Sequence, residues 1–312
     1  MAGKKIITIS IPCYNEEENV ELLAKAIMIQ FEKHLPNYDY YIQFIDNCSI
    51  DGTRGKIEEI CKKDTRVRAI FNARNFGPIS SYYGIMQAEG DGVIVIPADF
   101  QVPVELIPLF VSEWEQGGKV VCAIKTSSKE NKGMWMLRSL YYALLQRFSD
   151  TVVLKHFNGA GLYDRSFIDI CKKIDDPMPS IAQMVSTLGY NIRMVEFVQP
   201  VREAGKTSNN FFRLFDQAIF RFINYSKVGP RIATLLGMSA ALISLLIALV
   251  YLVLKLMFWD TFIAGMAPLV IGIFFFFSVQ LFFTGLIGEY VIAANSRLMK
   301  RPLVIEEKRI NF

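Results

Sequence analysis

The residues best suited to chemistry in this 312-residue chain fall in four short stretches, each directly after a β-branched run. They are Pro12-Cys13-Tyr14-Asn15-Glu16, Asp46-Asn47-Cys48-Ser49-Ile50-Asp51-Gly52-Thr53, Arg74-Asn75-Phe76-Gly77 and Pro97-Ala98-Asp99-Phe100-Gln101. Taken singly each is ordinary: Asp51-Gly52 is a turn pair, and Asp51 or Thr53 suits a helix cap. Taken together they bring carboxylates, carboxamides and hydroxyls to the ends of four successive strands, the edge at which open α/β sheets bind polar ligands. Neither GxGxxG nor GxxxxGK[ST] follows the first run, so a Rossmann dinucleotide site and a P-loop lose their main support. Two histidines, His34 and His156, are too few for a His-rich metal centre. The five cysteines form no CxxC pair and read as reduced thiols.

Strands and helices must alternate to place these stretches. Ile6–Ile11, Tyr41–Ile45, Val67–Phe71, Val93–Ile96 and Val120–Ile124 read as strands, and Asn19–Phe31, Thr53–Lys63, Ile79–Ala88 and Val104–Glu115 carry helical periodicity. The alternation predicts an α/β fold with an open, mainly parallel sheet and helices on both faces.

Composition separates the rest of the chain. Apolar types make up 52%, charged types 21%, and mean hydropathy is +0.28. The excess lies in two charge-free runs, Ile232–Leu254 and Phe262–Gly288. At about 1.5 Å per residue the first reaches about 35 Å, enough to cross a hydrocarbon core of about 30 Å. They predict a transmembrane hairpin. Lys and Arg crowd both outer flanks (Lys206, Arg213, Arg221, Lys227 and Arg231 before; Arg297, Lys300, Arg301, Lys308 and Arg309 after), which puts both termini in the cytoplasm. Ahead of the hairpin, Phe211, Phe212, Phe215, Ile219, Phe222 and Ile223 recur at helical spacing, as an amphipathic helix in the membrane interface does. The expected organisation is a catalytic domain at 1–206, a juxtamembrane helix at 207–230, two spans within 231–289 (232–254 and 262–288) and a basic tail at 290–312. No signal peptide is visible, and a net charge of +4 is too mild to argue for nucleic acid.

With these motifs in place the chain resembles the inverting family 2 glycosyltransferases of GT-A fold, and among them the membrane-anchored polyprenyl-phosphate glycosyltransferases. The resemblance extends through Arg138-Ser139-Leu140-Tyr141-Tyr142 and Arg202-Glu203-Ala204-Gly205-Lys206-Thr207 to the hairpin. It implies a nucleotide-sugar donor, UDP- or GDP-linked, held by Pro12, Tyr14, Glu16, Asp46 and Asp99. An acid at a strand end suits that role, since it accepts from a ribose hydroxyl or a base N–H; Glu16 also suits the first turn of a helix. The family's metal motif, Asp-x-Asp followed two residues later by Gln, stands here as Pro97-Ala98-Asp99-Phe100-Gln101, without its first acid. The resemblance therefore implies Mg²⁺ or Mn²⁺ on Asp99 and Gln101, because magnesium needs only one or two carboxylates when phosphates and water complete its shell. Arg202 and Lys206 are the alternative counter-charges for the diphosphate and, with Asp99, the implied catalytic set.

Lys125, Arg138 and Ser139 are implied for the acceptor phosphate, with 125–133 as a mobile lid. Gly-Asp-Phe-Arg-Leu, usual in these enzymes, is replaced here by Asn158-Gly159-Ala160-Gly161-Leu162, followed by Tyr163-Asp164-Arg165. Glycines thus stand where the acid and its partner would be. A lipid monophosphate tolerates that loss: its second pKa is about 6, so the attacking oxygen is already anionic at pH 7, whereas a sugar hydroxyl needs a general base. The leading expectation is transfer of one sugar to undecaprenyl phosphate at the cytoplasmic leaflet of the inner (plasma) membrane, for cell-surface glycan assembly. The alternatives are extension of a lipid-linked polysaccharide at a sugar hydroxyl, or a catalytically weak nucleotide-sugar-binding homologue. The aromatic spans also suit a homo-oligomer.

Overall fold

The structure is a computed structural model that describes residues 3–127, 154, 157–177, 179–200, 266–298 and 302–312, with isolated positions between 239 and 257. The chain divides into two compact units, Met1–Tyr142 with Thr151–Ser208 and Lys300–Phe312, and Ala143–Asp150 with Asn209–Met299.

The first unit is a mixed α/β domain with a mainly parallel sheet. Its strands are β1 (Ile6–Cys13), β2 (Asp39–Asp46), β3 (Val67–Asn72), β4 (Gly92–Val95), β5 (Val120–Ser127), β6 (Phe157–Asp164), β7 (Ile192–Val198) and β8 (Glu306–Ile310). They lie in the order β7-β5-β6-β4-β1-β2-β3-β8. β1 pairs in parallel with β2 and β4, β2 with β3, and β5 with β7. β6 runs antiparallel between β4 and β5, and β8 antiparallel along β3. The carboxyl ends of β1, β2, β3, β4, β5 and β7 therefore meet at one edge, joined there by the amino ends of β6 and β8.

Helices α1 (Val20–His34), α2 (Thr53–Lys63) and α4 (Ile107–Glu115) cover one face, and α3 (Ile79–Gln87), α5 (Arg165–Lys172) and α6 (Ile181–Thr187) the other. Period-2 alternation sorts the strand residues: Ile94, Ile96, Val121 and Ala123 join the α1 side, while Val93, Val95, Val120 and Cys122 join the α3 side. α1 buries Val20, Leu23, Ala24, Ile27 and Phe31, the spacing of one helical face. Each such fully buried Ile or Phe contributes about 2–3 kcal/mol. α3 sits close on β1 and β2 because residue 84 is glycine; a Cβ there would meet Ile45 Cγ1 at 2.3 Å, and the Gly84 carbonyl accepts from buried Gln43 at 2.8 Å.

The five expected strands and four helices are present, with ends moved by a few residues. Three strands were not expected. β6 carries three small residues and lacks a β-branched run, β7 alternates without a strong apolar face, and β8 is mostly charged. The residues expected to end in a free basic tail instead build that edge strand, and residue 302 onward belongs to the first unit.

In the second unit, α7 (Met266–Leu298) is a helix of 33 residues, extending ten residues past the expected end of the second span. No charge occurs from Met266 to Gly288, and Leu269, Phe275, Phe277, Leu281 and Ile287 are exposed. The isolated positions described between Ser239 and Met257 are helical. Among the described residues no helix is long and apolar enough to cross a membrane. The juxtamembrane helix at 207–230 and the lid beyond residue 127 lie outside the described residues.

Candidate functional site

The first two strand-end loops are bonded to each other. Asn15 N donates to Ser49 Oγ at 2.9 Å, Ile50 N to Asn15 Oδ1 at 3.0 Å, Glu16 N to Thr53 Oγ1 at 2.8 Å and Gly52 N to Glu17 Oε2 at 2.7 Å. Asn47 N adds a bond to the Cys13 carbonyl at 3.0 Å. Asn15 and Cys48 have φ of +56° and +66°, left-handed conformations that cost non-glycine residues energy and persist because these bonds over-determine them.

The third loop hangs on Asn47. Its Nδ2 donates to Asn75 Oδ1 at 3.0 Å, and its Oδ1 accepts from Phe76 N at 2.9 Å and Asn72 Nδ2 at 3.2 Å. Three loops thus form one preorganised wall, which a ligand need not order at its own expense.

Asp46 ends β2 with no exposed side-chain surface. Its carboxylate accepts from Ser49 N at 3.2 Å on both oxygens and from Arg54 Nε at 2.7 Å. It lies beneath the loop that it folds. Glu16 is also buried, accepting from Asn19 Nδ2 at 2.6 Å. Tyr14 is exposed at the mouth, and Pro12 is half-buried in β1 opposite Ile45. Burial, followed by the charges of Asp46, Glu16 and Asp51, raises the Cys13 thiol well above its usual range, a measure of how negative this corner is.

Asp99 follows β4 in a turn and does not continue the strand. Phe100 has φ +56°, and Asp99 Oδ1 accepts from Gln101 N at 3.2 Å. Strict alternation of Asp99 and Gln101 across Phe100 is therefore replaced by a turn. Gln101 Oε1 accepts from Gln199 Nε2, beyond β7. Among the described residues no group of three or more His, Cys, Asp and Glu could hold a metal. The donor set fits an ion that takes little from the protein: one hard carboxylate at Asp99 and the second lone pair of the Gln101 amide oxygen. A diphosphate beside this acidic edge needs a counter-charge, which such an ion would supply.

Lys125 stands near the end of β5, opposite Phe197 of β7, on the crevice edge. Arg138, Ser139, Arg202 and Lys206 lie outside the described residues.

Gly159, in the acid's place, and Gly161, in its partner's, both have positive φ, and the sheet leaves no room for a side chain at 161. Gly161 has φ +145°, and a Cβ on it would lie 2.0 Å from the Val121 carbonyl oxygen; Gly159 has φ +95°. Asp164 does not substitute for the acid. It pairs with Gly92 at the opposite end of β4 and caps α5 through Ser166 N at 3.0 Å. Its carboxylate also accepts from Trp114 Nε1 at 2.7 Å and Lys119 Nζ at 3.1 Å.

Sequence reasoning missed Asn15, Glu17 and Asn47 as loop fasteners, together with Arg54, Gln199 and Glu307. The polar side chains of the first three were on the page, but which backbone group each serves depends on the turn. Gln199 follows, and Glu307 lies in, a strand with a weak sequence signal.

A sheet whose carboxyl edge carries a fused polar wall, an acid after the central strand β4 and a cation at β5 defines an α/β protein with a polar crevice at that edge. Residues 8–170, just over half the chain, match the family described as "Glycosyl transferase family 2", and the chain belongs to it. It is a glycosyltransferase.

The similarity to curated relatives runs nearly end to end. The chain is 28% identical over 305 residues to a "Bactoprenol glucosyl transferase" of Shigella phage SfII, covering 97% of each. It is 27% identical over 302 residues to the "Prophage bactoprenol glucosyl transferase homolog" of Escherichia coli K12, covering 96% of this chain and 97% of that one. Among solved structures, mannosyl-3-phosphoglycerate synthase from Rubrobacter xylanophilus matches with a TM-score of 0.47 and 14% identity over 70% of this chain and 74% of that one.

Proposed function

We propose that this glycosyltransferase, with a GT-A catalytic domain, moves one sugar from a UDP- or GDP-sugar to a polyprenyl phosphate at the cytoplasmic face of a membrane. One combination carries the reading: a single chain joins the fused strand-end wall to a 33-residue helix that is charge-free from Met266 to Gly288. The names of the end-to-end relatives support the same acceptor.

The donor's base and ribose lie against the β1–α1 and β2–α2 loops, with Tyr14 at the mouth. The diphosphate faces Asp99 at the end of β4. A divalent ion held there would screen the departing diphosphate; Asp99 and Gln101 are the residues placed to hold it, and Arg202 and Lys206 bring further positive charge. Lys125, with Arg138 and Ser139, orients the acceptor phosphate in line with the anomeric carbon. Positioning and charge stabilisation do the catalytic work, because an anionic phosphate oxygen needs no base.

Gly159 favours this acceptor over a sugar hydroxyl. A hydroxyl needs a carboxylate at the reaction centre, and the acid's place is held by a glycine at φ +95°.

The chain leaves the first unit near residue 208 and rejoins it near 300. Insertion of the second unit in a membrane therefore requires an even number of crossings, which supports a hairpin with both flanks on one side.

The test is a product assay on the full chain in detergent or nanodiscs. Undecaprenyl phosphate is offered with a panel of UDP- and GDP-sugars in Mg²⁺, Mn²⁺ or EDTA, and the lipid is read by mass spectrometry. The expected product is a lipid heavier by one sugar, lost in EDTA and in Asp99→Asn. Nucleotide-sugar binding without any lipid product would remove the acceptor from the proposal.

A further inference from the structure

We infer that Arg54 and Glu307 are positioning residues of the donor site, so that β8, the last strand of the chain, helps to set the loop after β2. The inference rests on the crevice being the nucleotide-sugar site.

Arg54 is the only side-chain cation bonded to buried Asp46 among the described residues, and all three of its donor groups are used. Nε donates to Asp46 Oδ2 at 2.7 Å, Nη2 to the Asn72 carbonyl at 2.7 Å and Nη1 to Glu307 Oε2 at 2.9 Å. The guanidinium also lies 5.6 Å from the centre of the Phe71 ring. A planar fork with three fixed acceptors has one orientation, and lysine cannot reproduce it. Glu307 is the one acceptor of the three that comes from outside β2 and β3.

β8 is itself fastened at several points. Tyr83 OH donates to Glu306 at 2.8 Å, Lys308 Nζ to Glu58 at 2.7 Å, and Asn311 Nδ2 to the Cys61 and Val67 carbonyls at 2.8 and 2.7 Å. These bonds tie the strand to α2, α3 and β3, so Glu307 is delivered to Arg54 by a rigid element. Asp46 in turn folds the turn at Ser49, and Ser49 Oγ receives Asn15 N. The path from β8 to the donor loops is continuous: Glu307, Arg54, Asp46, Ser49, Asn15.

Cys48 gives a reporter that needs no ligand. It sits in the loop at φ +66° and is half-buried, while Cys13, Cys61, Cys122 and Cys171 are buried. A maleimide will therefore label position 48 first, at a rate set by loop order.

The experiment compares wild-type full chain, Glu307→Gln, Glu307→Asp and Arg54→Lys. Glu307 is largely exposed, so its loss shifts the loop without unfolding the domain. For Glu307→Gln the Cys48 labelling rate and the donor KM should each rise about two- to fivefold, with kcat and Tm unchanged. Arg54→Lys should shift both by about tenfold, and Glu307→Asp should lie near wild type. Unchanged Cys48 labelling in both Glu307→Gln and Arg54→Lys would overturn the inference, as would a fall in kcat with donor KM constant. Should the wild type transfer no sugar from any donor, the functional reading falls, while the Cys48 rates still decide the positioning role.

Discussion

Gly161 and Val121 stand so close across the β5–β6 pair that a Cβ on the glycine would lie 2.0 Å from the valine carbonyl oxygen. The contact explains why the chain carries glycine at 161, the place of the acid's partner in the resemblance. It also says that a side chain cannot be added at 161 by one substitution.

Gly161→Asp should therefore cost stability and gain no activity. The φ of +145° and the backbone clash together should remove about 3 kcal/mol or more. Urea denaturation followed by fluorescence measures the first effect. A Gly161→Asp protein as stable as wild type and faster in transfer would show that the position is open.

Asp46→Asn keeps the shape of the side chain but leaves the guanidinium of Arg54 beside a neutral amide. The loss of a charged hydrogen bond at a fully buried oxygen should cost about 2 kcal/mol and weaken donor binding. Calorimetric unfolding and nucleotide titration read the two effects. Equal stability and equal affinity would remove Asp46 from the loop's architecture.

Acid stability should depend on Asp164. Burial alone would raise its pKa, but the bonds from Ser166, Trp114 and Lys119 outweigh burial and hold it below the ordinary 3.8. The stability it gives is complete above pH 3.8 and is lost as pH falls through the lower folded value. Asp164→Asn should thus be less stable near neutrality, with the difference from wild type narrowing below about pH 4. A series of Tm values from about pH 6 down to about pH 2.5 checks it; a constant gap at every pH would refute the assignment.

Phe276→Asp places a charge in the middle of the apolar part of α7. At about 3 kcal/mol for a central Asp, it should shift the protein out of the membrane fraction in a fractionation experiment. Leu22→Asp, on the exposed face of α1, is the control and should change nothing. Equal partitioning of the two variants would argue against insertion of α7.

The sequence by itself determined what depends on local pattern. Alternation of β-branched runs with helical stretches yielded five strands and four helices, because burial on both faces of a parallel sheet writes itself into each strand as an apolar run. The strand-end stretches followed, since the carboxyl edge of such a sheet is where loops meet. The place of Asp99 at the end of the fourth strand was legible for that reason, and the charge-free runs for their length, whereas Lys125 came only from the resemblance.

Tertiary structure alone decided what the polar residues at that edge do. Asp46 looked like a ligand contact and proves to be buried under Arg54, because a carboxylate's role depends on which donors the fold brings to it. The glycines at 159 and 161 looked like lost catalytic residues, yet both have positive φ and the second answers to a backbone approach that no spacing reveals. β8 was read as a tail because its charges hide it. An edge strand needs only one apolar face, and its pairing with β3 joins residues more than 230 positions apart, a contact that the chain's linear pattern does not encode.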